Sequence, residues 1–545
     1  MTPAAPNRAG APDRGTGAGR ARGSVLFLAC AALYLAVGWY LALVHHVVEG
    51  DALARVENAS AVLWSRTPHL AAIGFVWPPL PSLLDLPMLT MAGRWPAITA
   101  YGLPGITGSA LAMAAAVVAV RRTCCELGAR SPVRTVLVAL FALNPVIVYF
   151  AANGMTEAWL IAFLAGASLH LTRWVGGGAT RHLALAATWI ALAYLCRYEA
   201  LGAGVLLVAA AAVRVYRLSP GGRRRRLAGA GSTALVAGYP LAVVFLGWAL
   251  ASRIITGDAF EQFGSAYGNA SIVEVATAAE HSTPVGRAVF SWQRTLELAP
   301  TLPVLVVLAL RAWTTGRRAR LAGPMVATGG AMLCVYGVMV TGLSFQWLRF
   351  HILALPLATM LAAALCAPAA PGSPRPAGRR PGRTRTPARA VLLLSGPALA
   401  LLTSWTTMVS PHGWAQLALS QALDGPDPQS AYAWSRRIAD DLEEMAAPQG
   451  SVLVSMAGTF EAVAVSGRPR IFVIPSDPDY TASLAQPCPA VRYLLSMPEN
   501  PLDPVAGLVR DLREGRPEEL SRVKDYGTGA SGGPVFELWR TRCGE

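Results

Sequence analysis

The sequence predicts an all-helical protein that crosses a membrane about eleven times and carries a small α/β domain at its carboxyl end. Three observations lead there. Of 545 residues, 54% are hydrophobic and only 14% charged, too apolar for a chain of soluble domains. Apolar runs of spanning length recur between Ser24 and Val409, punctuated by arginine. Beyond Val409 the runs shorten to strand length and alternate with helical patterns.

The net charge of +15 reflects topology and not nucleic-acid binding, because the basic residues interrupt apolar segments and do not cluster on one polar domain. More than half of the 46 basic residues fall between spans on one assigned side, from Arg8, Arg14, Arg20 and Arg22 through Arg223–Arg226 to Arg375–Arg389. That side is cytoplasmic by the positive-inside rule.

Residues 1–23, rich in Pro, Gly, Ala and Arg, read as a disordered cytoplasmic tail, and 24–44 as the first span. Trp39 and Tyr40 anchor its outer end, and no small-residue cleavage site follows it. Residues 45–102 form the first outer loop. Its opening run is His45-His46-Val47-Val48-Glu49-Gly50-Asp51, followed by Arg55, Glu57 and Asn58.

A helix from Asp51 puts Asp51, Arg55 and Asn58 on one face and Ala52, Val56, Ala59 and Leu63 on the other, as in a helix lying at the membrane surface. The apolar stretch 83–92 is short and contains Asp85 and Pro87, so it dips into the interface. Further spans are expected at about 103–120, 134–150, 158–174, 183–196, 201–213, 229–250, 296–310, 321–343, 348–367 and 390–409. An odd number of spans puts the two chain ends on opposite sides.

The whole transmembrane domain is thus 24–409, with 368–389 a cytoplasmic Pro/Arg-rich linker. In the extracytoplasmic domain 410–545, strands are predicted at 451–455, 470–474, 491–495 and 534–539. Helices are predicted there at 432–446, 460–465 and 504–513. Of the eight cysteines, Cys488 and Cys543 lie in this part, as a disulfide or as two free thiols.

No phosphate-cradling glycine loop, His-Glu-x-x-His or Gly-x-Ser-x-Gly occurs. Acid and base recur instead at the outer ends of spans: Asp51 with Arg55, Glu157 after Asn153-Gly154, Arg197 with Glu199, and Arg349 with His351. Charges beside hydrocarbon face a cavity or a partner more readily than lipid. Each pair alone is equally an interfacial ion pair. Four at one level predict a crevice that gathers Asp51, Glu157 and Arg197.

His45 and His46, with Glu49 and Asp51, admit a divalent metal but read first as interfacial histidines. Asp85 serves the crevice or caps its own segment. Asp477 and Asp479 read as a turn before a calcium contact.

An acid just after the first span, Pro78-Pro79-Leu80 in the first outer loop, Asn144-Pro145 followed by an acid in the second, and a basic turn between the fifth and sixth spans resemble the GT-C glycosyltransferases. More narrowly, they are similar to the branch holding protein O-mannosyltransferases and the aminoarabinose transferase of lipid A. The resemblance covers about residues 24–360 and implies the GT-C fold.

It implies Asp51 and Glu157 as catalytic acids and Arg197 as a ligand of the donor phosphate, with Arg55 and Arg349 as further phosphate contacts. Glu49, Glu199 and His69 are flanking candidates. The family often has two adjacent acids in the first loop, whereas Gly50 separates Glu49 from Asp51 here.

The implied activity is transfer of a hexosyl or pentosyl unit, with inversion, from a polyprenyl-phosphate sugar to a glycan, lipid or protein of the cell envelope outside a bacterial cytoplasmic membrane. Arginine would neutralise the departing phosphate and a carboxylate would take the acceptor proton. The alternative is a transporter or lipid flippase without catalysis. That reading predicts mid-membrane acids, broken helices and a repeat between halves, none of which is legible in the sequence.

Overall fold

The computed structural model describes residues 17–264, 273, 283–314, 319–344, 346–367, 385–409, 424–529 and 532–542. The tail up to residue 16, linker residues 368–384 and Cys543 lie outside the described residues.

Apolar composition and the near absence of interior charge make the long segments helical, since a helix satisfies its own backbone where no water can. They are α1 Gly17–His45, α4 Leu103–Glu126, α7 Glu157–Gly177, α9 Ala200–Leu218, α10 Arg223–Thr256, α13 Ala322–Thr341 and α14 Ala354–Cys366. With short 3-10 turns added ahead of α13 and α14, and α1 taken from Gly19, seven helices among the described residues are long and apolar enough to cross a membrane. The predicted tail is helical from Gly17, so α1 begins before Ser24.

Two predicted spans are broken. Residues 134–150 form α5 Ser131–Ala142 and α6 Pro145–Ala152, bent by 56°. Pro145 cannot donate a helical hydrogen bond, and Asn144 caps the new helix by accepting from the Val146 amide at 3.0 Å. Residues 296–310 are not one helix: α11 Pro284–Leu298 turns 90° into α12 Leu302–Thr314. Pro300 and Pro303 flank that turn.

The sequence reading found no broken helices, and these two correct it. The breaks meet in a cavity lined by Asn144, Ala299, Thr301, Thr359 and Pro397, with no acidic residue in its lining. The remaining predicted spans are the shorter α8 Thr180–Tyr194 and the apolar end of α15 Arg385–Val409.

Between α1 and α4 lie α2 Gly50–Trp64 and α3 Leu80–Leu89. Helix α2 is covered by protein: Leu53–Val56, Glu57 and Ala59–Ala61 are all buried. The covering material is the carboxyl-terminal region. Ala61 joins a core with Ile438, Leu442, Val452 and Phe472, and Leu53 packs with Tyr432 and Ala464.

That region holds α16 Ala431–Glu444, α17 Phe460–Val465 and α18 Pro504–Gly515 around a five-stranded sheet. Its strands are β1 Val452–Leu453, β2 Phe472–Val473, β3 Tyr493–Ser496, β4 Leu520–Tyr526 and β5 Phe536–Thr541, in the order β2-β1-β3-β5-β4. The first three run parallel and the last two pair antiparallel, Leu494 facing Trp539 across β3 and β5. Strand β4 was not foreseen. It is an edge strand whose middle residues are exposed and, apart from Val523, charged, which protects the edge but erases the apolar run.

Candidate functional site

The site lies where one end of the helical bundle meets α2. Glu49 is the extended N-cap of α2, so Asp51 sits in its first turn, where the helix dipole favours a negative charge. Glu157 takes the same place on α7. Gly154, at φ 82°, lets the loop before α7 approach α2: a Cβ there would stand 3.0 Å from that of Ala52. Arg197 and Glu199 come from the turn between α8 and α9, and Arg349 from the 3-10 turn Leu348–His351 ahead of α14.

These residues form one network. Arg349 Nη2 donates to Asp51 Oδ2 at 2.7 Å, and its Nε stands 3.9 Å from Glu157 Oε1. Arg197 Nη1 donates to the same Glu157 oxygen at 2.7 Å, while its Nη2 donates to Glu199 Oε1 at 2.7 Å. Tyr149 donates to Glu49. Arg349 stacks 4.2 Å from the centre of the Trp347 ring, and Arg197 lies 5.1 Å from that of Phe350.

Burial divides the acids. The Glu157 side chain is 1% exposed and holds two guanidinium groups, whereas that of Asp51 is 40% exposed. Burial alone would raise the Asp51 carboxyl, but the charge and hydrogen bond of Arg349, with Arg55 and Arg197, hold it below its ordinary value. Glu49 goes the other way, raised by burial against the bond from Tyr149.

Arg55 is the cation whose hydrogen bonds are left unmade. It is buried, 4.4 Å from the centre of the Trp77 ring, and its Nε and Nη1 have no hydrogen-bond partner. Burial pushes its guanidinium down to about 10, opposed by Asp51 and Glu157. Asp85 is buried within reach of the Arg55 charge, and burial pushes its carboxyl up to about 8.

The structure therefore brings Asp51, Glu157, Arg55, Arg197, Arg349, Glu49 and Glu199 together. It leaves out His69, which is exposed and bonded through Nδ1 to the Thr67 carbonyl at 2.6 Å. His46 packs against Tyr101 and Tyr432. Among the described residues no three His, Cys, Asp or Glu side chains converge as metal ligands. Asp477 and Asp479 bond Thr67 and Arg66, tying the carboxyl-terminal region to the outer loop. Cys488 is disulfide-bonded.

Sequence reasoning missed Tyr149, Trp77, Trp347 and Phe350. Tyr149 and Trp77 meet Glu49 and Arg55 only through tertiary folding, whereas Trp347 and Phe350 flank Arg349 in sequence, a local signal for its cation–π contacts.

A cluster of acids and guanidinium groups at one end of a helical bundle with an apolar interior is the arrangement of a multi-pass membrane protein. The chain has the GT-C fold. It is similar to ArnT from Cupriavidus metallidurans bound to undecaprenyl phosphate, with a TM-score of 0.53 and 14% identity over 96% of this chain and 99% of that one. The apo state of ArnT aligns at a TM-score of 0.51 and 13% identity, covering 96% and 99%. Arabinofuranosyltransferase AftD from Mycobacteria aligns at 0.46 and 18% identity, covering 96% of this chain and 42% of that one. No protein-family model and no curated protein matches the sequence.

Proposed function

We propose that the protein is an integral membrane glycosyltransferase that moves one hexosyl or pentosyl unit, with inversion, from a polyprenyl-phosphate sugar to an extracytoplasmic acceptor. The observation that carries this reading is the buried Arg55 guanidinium, which has no carboxylate hydrogen bond and stands beside Arg349, Arg197 and the open carboxylate of Asp51. A buried guanidinium with unmade hydrogen bonds suits a phosphate. ArnT, which shares the fold, was solved with undecaprenyl phosphate.

In the proposed step the acceptor oxygen attacks the anomeric carbon from the face opposite the phosphate. The bond from that carbon to the phosphate oxygen breaks, and its electron pair leaves with the lipid phosphate. Arg55, Arg197 and Arg349 neutralise that charge. Asp51 takes the acceptor proton, a contribution of roughly 100- to 10,000-fold. If the acceptor is itself a phosphate, no proton need be removed and Asp51 positions the acceptor. Glu157 holds Arg197 and Arg349 in place.

On this reading the amino end is cytoplasmic, and residues 410–545 form an extracytoplasmic domain that orients the acceptor, with Cys488 pairing with Cys543.

The test is sugar transfer in membranes supplied with labelled polyprenyl-phosphate sugars, comparing wild type with Asp51→Asn at matched expression. Transfer lost only in the variant is expected. Transfer by both would remove Asp51 as the base, and transfer by neither with any donor would overturn the reading.

A further inference from the structure

The face of α2 opposite the site carries a second acid that the proposed reaction does not use. Glu57 is 1% exposed, and its Oε2 has no hydrogen-bond partner. It opens onto a cavity of about 410 Å³, including its mouth, between α2, residues 92–99 and the carboxyl-terminal region. Ser60 and Thr99, both buried, add hydroxyl groups, while Pro96, Val463 and Pro469 supply apolar walls. Gly93 closes one side by packing on Trp64, where a Cβ would approach the indole to 2.6 Å.

No other titratable side chain lines this cavity. Burial is the sole cause of the upward push on the Glu57 carboxyl, to about 8, and no cation offsets it. An isolated carboxyl in an uncharged cavity is costly to keep and gains most from a ligand that brings the missing positive charge. An anion would be repelled once the carboxyl ionises, and a purely apolar ligand would leave Oε2 unpaired. The two hydroxyl groups complete a set of oxygen acceptors matched to the three N–H donors of a primary ammonium.

We propose that this cavity binds a primary ammonium group, carried by a lipid headgroup or by a soluble amine, with Glu57 as its counter-charge and Ser60 and Thr99 as flanking acceptors. The site stands between the outer loop and the carboxyl-terminal region, so its occupant would hold the two together. It is independent of the transferase reading, because binding at Glu57 requires no sugar transfer.

The experiment uses the full-length protein in detergent at pH 8.5, with ethanolamine as probe and ethylene glycol as its uncharged counterpart, each read by the shift in Tm. Ethanolamine is expected to stabilise wild type, with an apparent affinity roughly ten- to hundredfold above that for Glu57→Gln. Ethylene glycol is expected to do nothing. Thr99→Val, which keeps the carboxyl, is expected to weaken binding less than Glu57→Gln does, so a folded variant with an intermediate response is available.

Equal responses to the two probes, or equal responses of wild type and Glu57→Gln, would overturn the proposal. Nanodiscs made with phosphatidylethanolamine or with phosphatidylglycerol separate the sources. Stabilisation by the former that abolishes the ethanolamine response assigns a lipid headgroup, and a response persisting in both assigns a soluble amine.

Discussion

Arg349 donates a 2.7 Å hydrogen bond to Asp51 across 298 residues of sequence, joining the turn before α14 to the first turn of α2. The same guanidinium reaches toward Glu157, so one side chain fixes the relation between the two acids. Asp51 is thereby held ionised and open while Glu157 is closed in.

Removing Glu157 therefore tests support more than chemistry. Glu157→Gln leaves Arg197 and Arg349 without their shared carboxylate, and breaking a buried ion pair from one side costs about 3–5 kcal/mol. The expected result is a clear fall in unfolding temperature together with lost transfer. A variant of wild-type stability would show that Glu157 does not hold the arginines in place.

Arg55 should behave in the opposite way. It makes no carboxylate hydrogen bond, so Arg55→Met removes a buried cation with unmade hydrogen bonds and fills its place with apolar volume. Stability is expected to hold or rise, while the KM for the polyprenyl-phosphate donor increases roughly ten- to hundredfold through the lost charge-assisted contact. An unchanged donor KM would exclude Arg55 from the phosphate site.

The contrast between these two arginines also marks what sequence could carry. Asp51, Glu157 and Arg197 were legible because span ends put charges at one depth, and a charge there demands a partner. Which partner was not legible. Arg55 was expected to act with Asp51 four residues away, yet it rests on Trp77, and Asp51 bonds Arg349 instead.

The same limit applies to the fold. Apolar runs located the helices but not the bends after Ala142 and Leu298, because hydropathy averages across a proline. The three parallel strands were visible as apolar runs. Charged β4 was not, and neither was the covering of α2, which depends on how two distant parts of the chain dock.

That docking is open to test at Arg66, which bonds Asp479 and stands 3.5 Å from Asp477. Asp477 also accepts from the Ile474 amide at 3.1 Å, fixing the turn after β2. Arg66→Ala is expected to leave the helical bundle intact but to speed hydrogen exchange in residues 474–480. Unchanged exchange there would show that the packing of α2 against the sheet suffices to hold the region.

The pH dependence of stability separates the acids by sign. Asp51, held below its ordinary value, contributes stability above that value that is lost as pH falls through its folded pKa, in the acid range below about 4. Glu57, raised to about 8 from 4.5, binds its proton more tightly when folded, so its contribution is full below 4.5 and lost as pH rises toward 8. Asp85 and Glu461, also raised by burial, weaken the fold in an overlapping range, so the wild-type profile alone cannot assign the decline. The difference between wild type and Glu57→Gln can. Their unfolding temperatures should converge near pH 5 and separate by pH 8.5, with the variant the more stable at the higher pH. Parallel profiles would show that Glu57 ionises in the folded protein as easily as in the unfolded chain, and that its cavity is wet enough to solvate the charge.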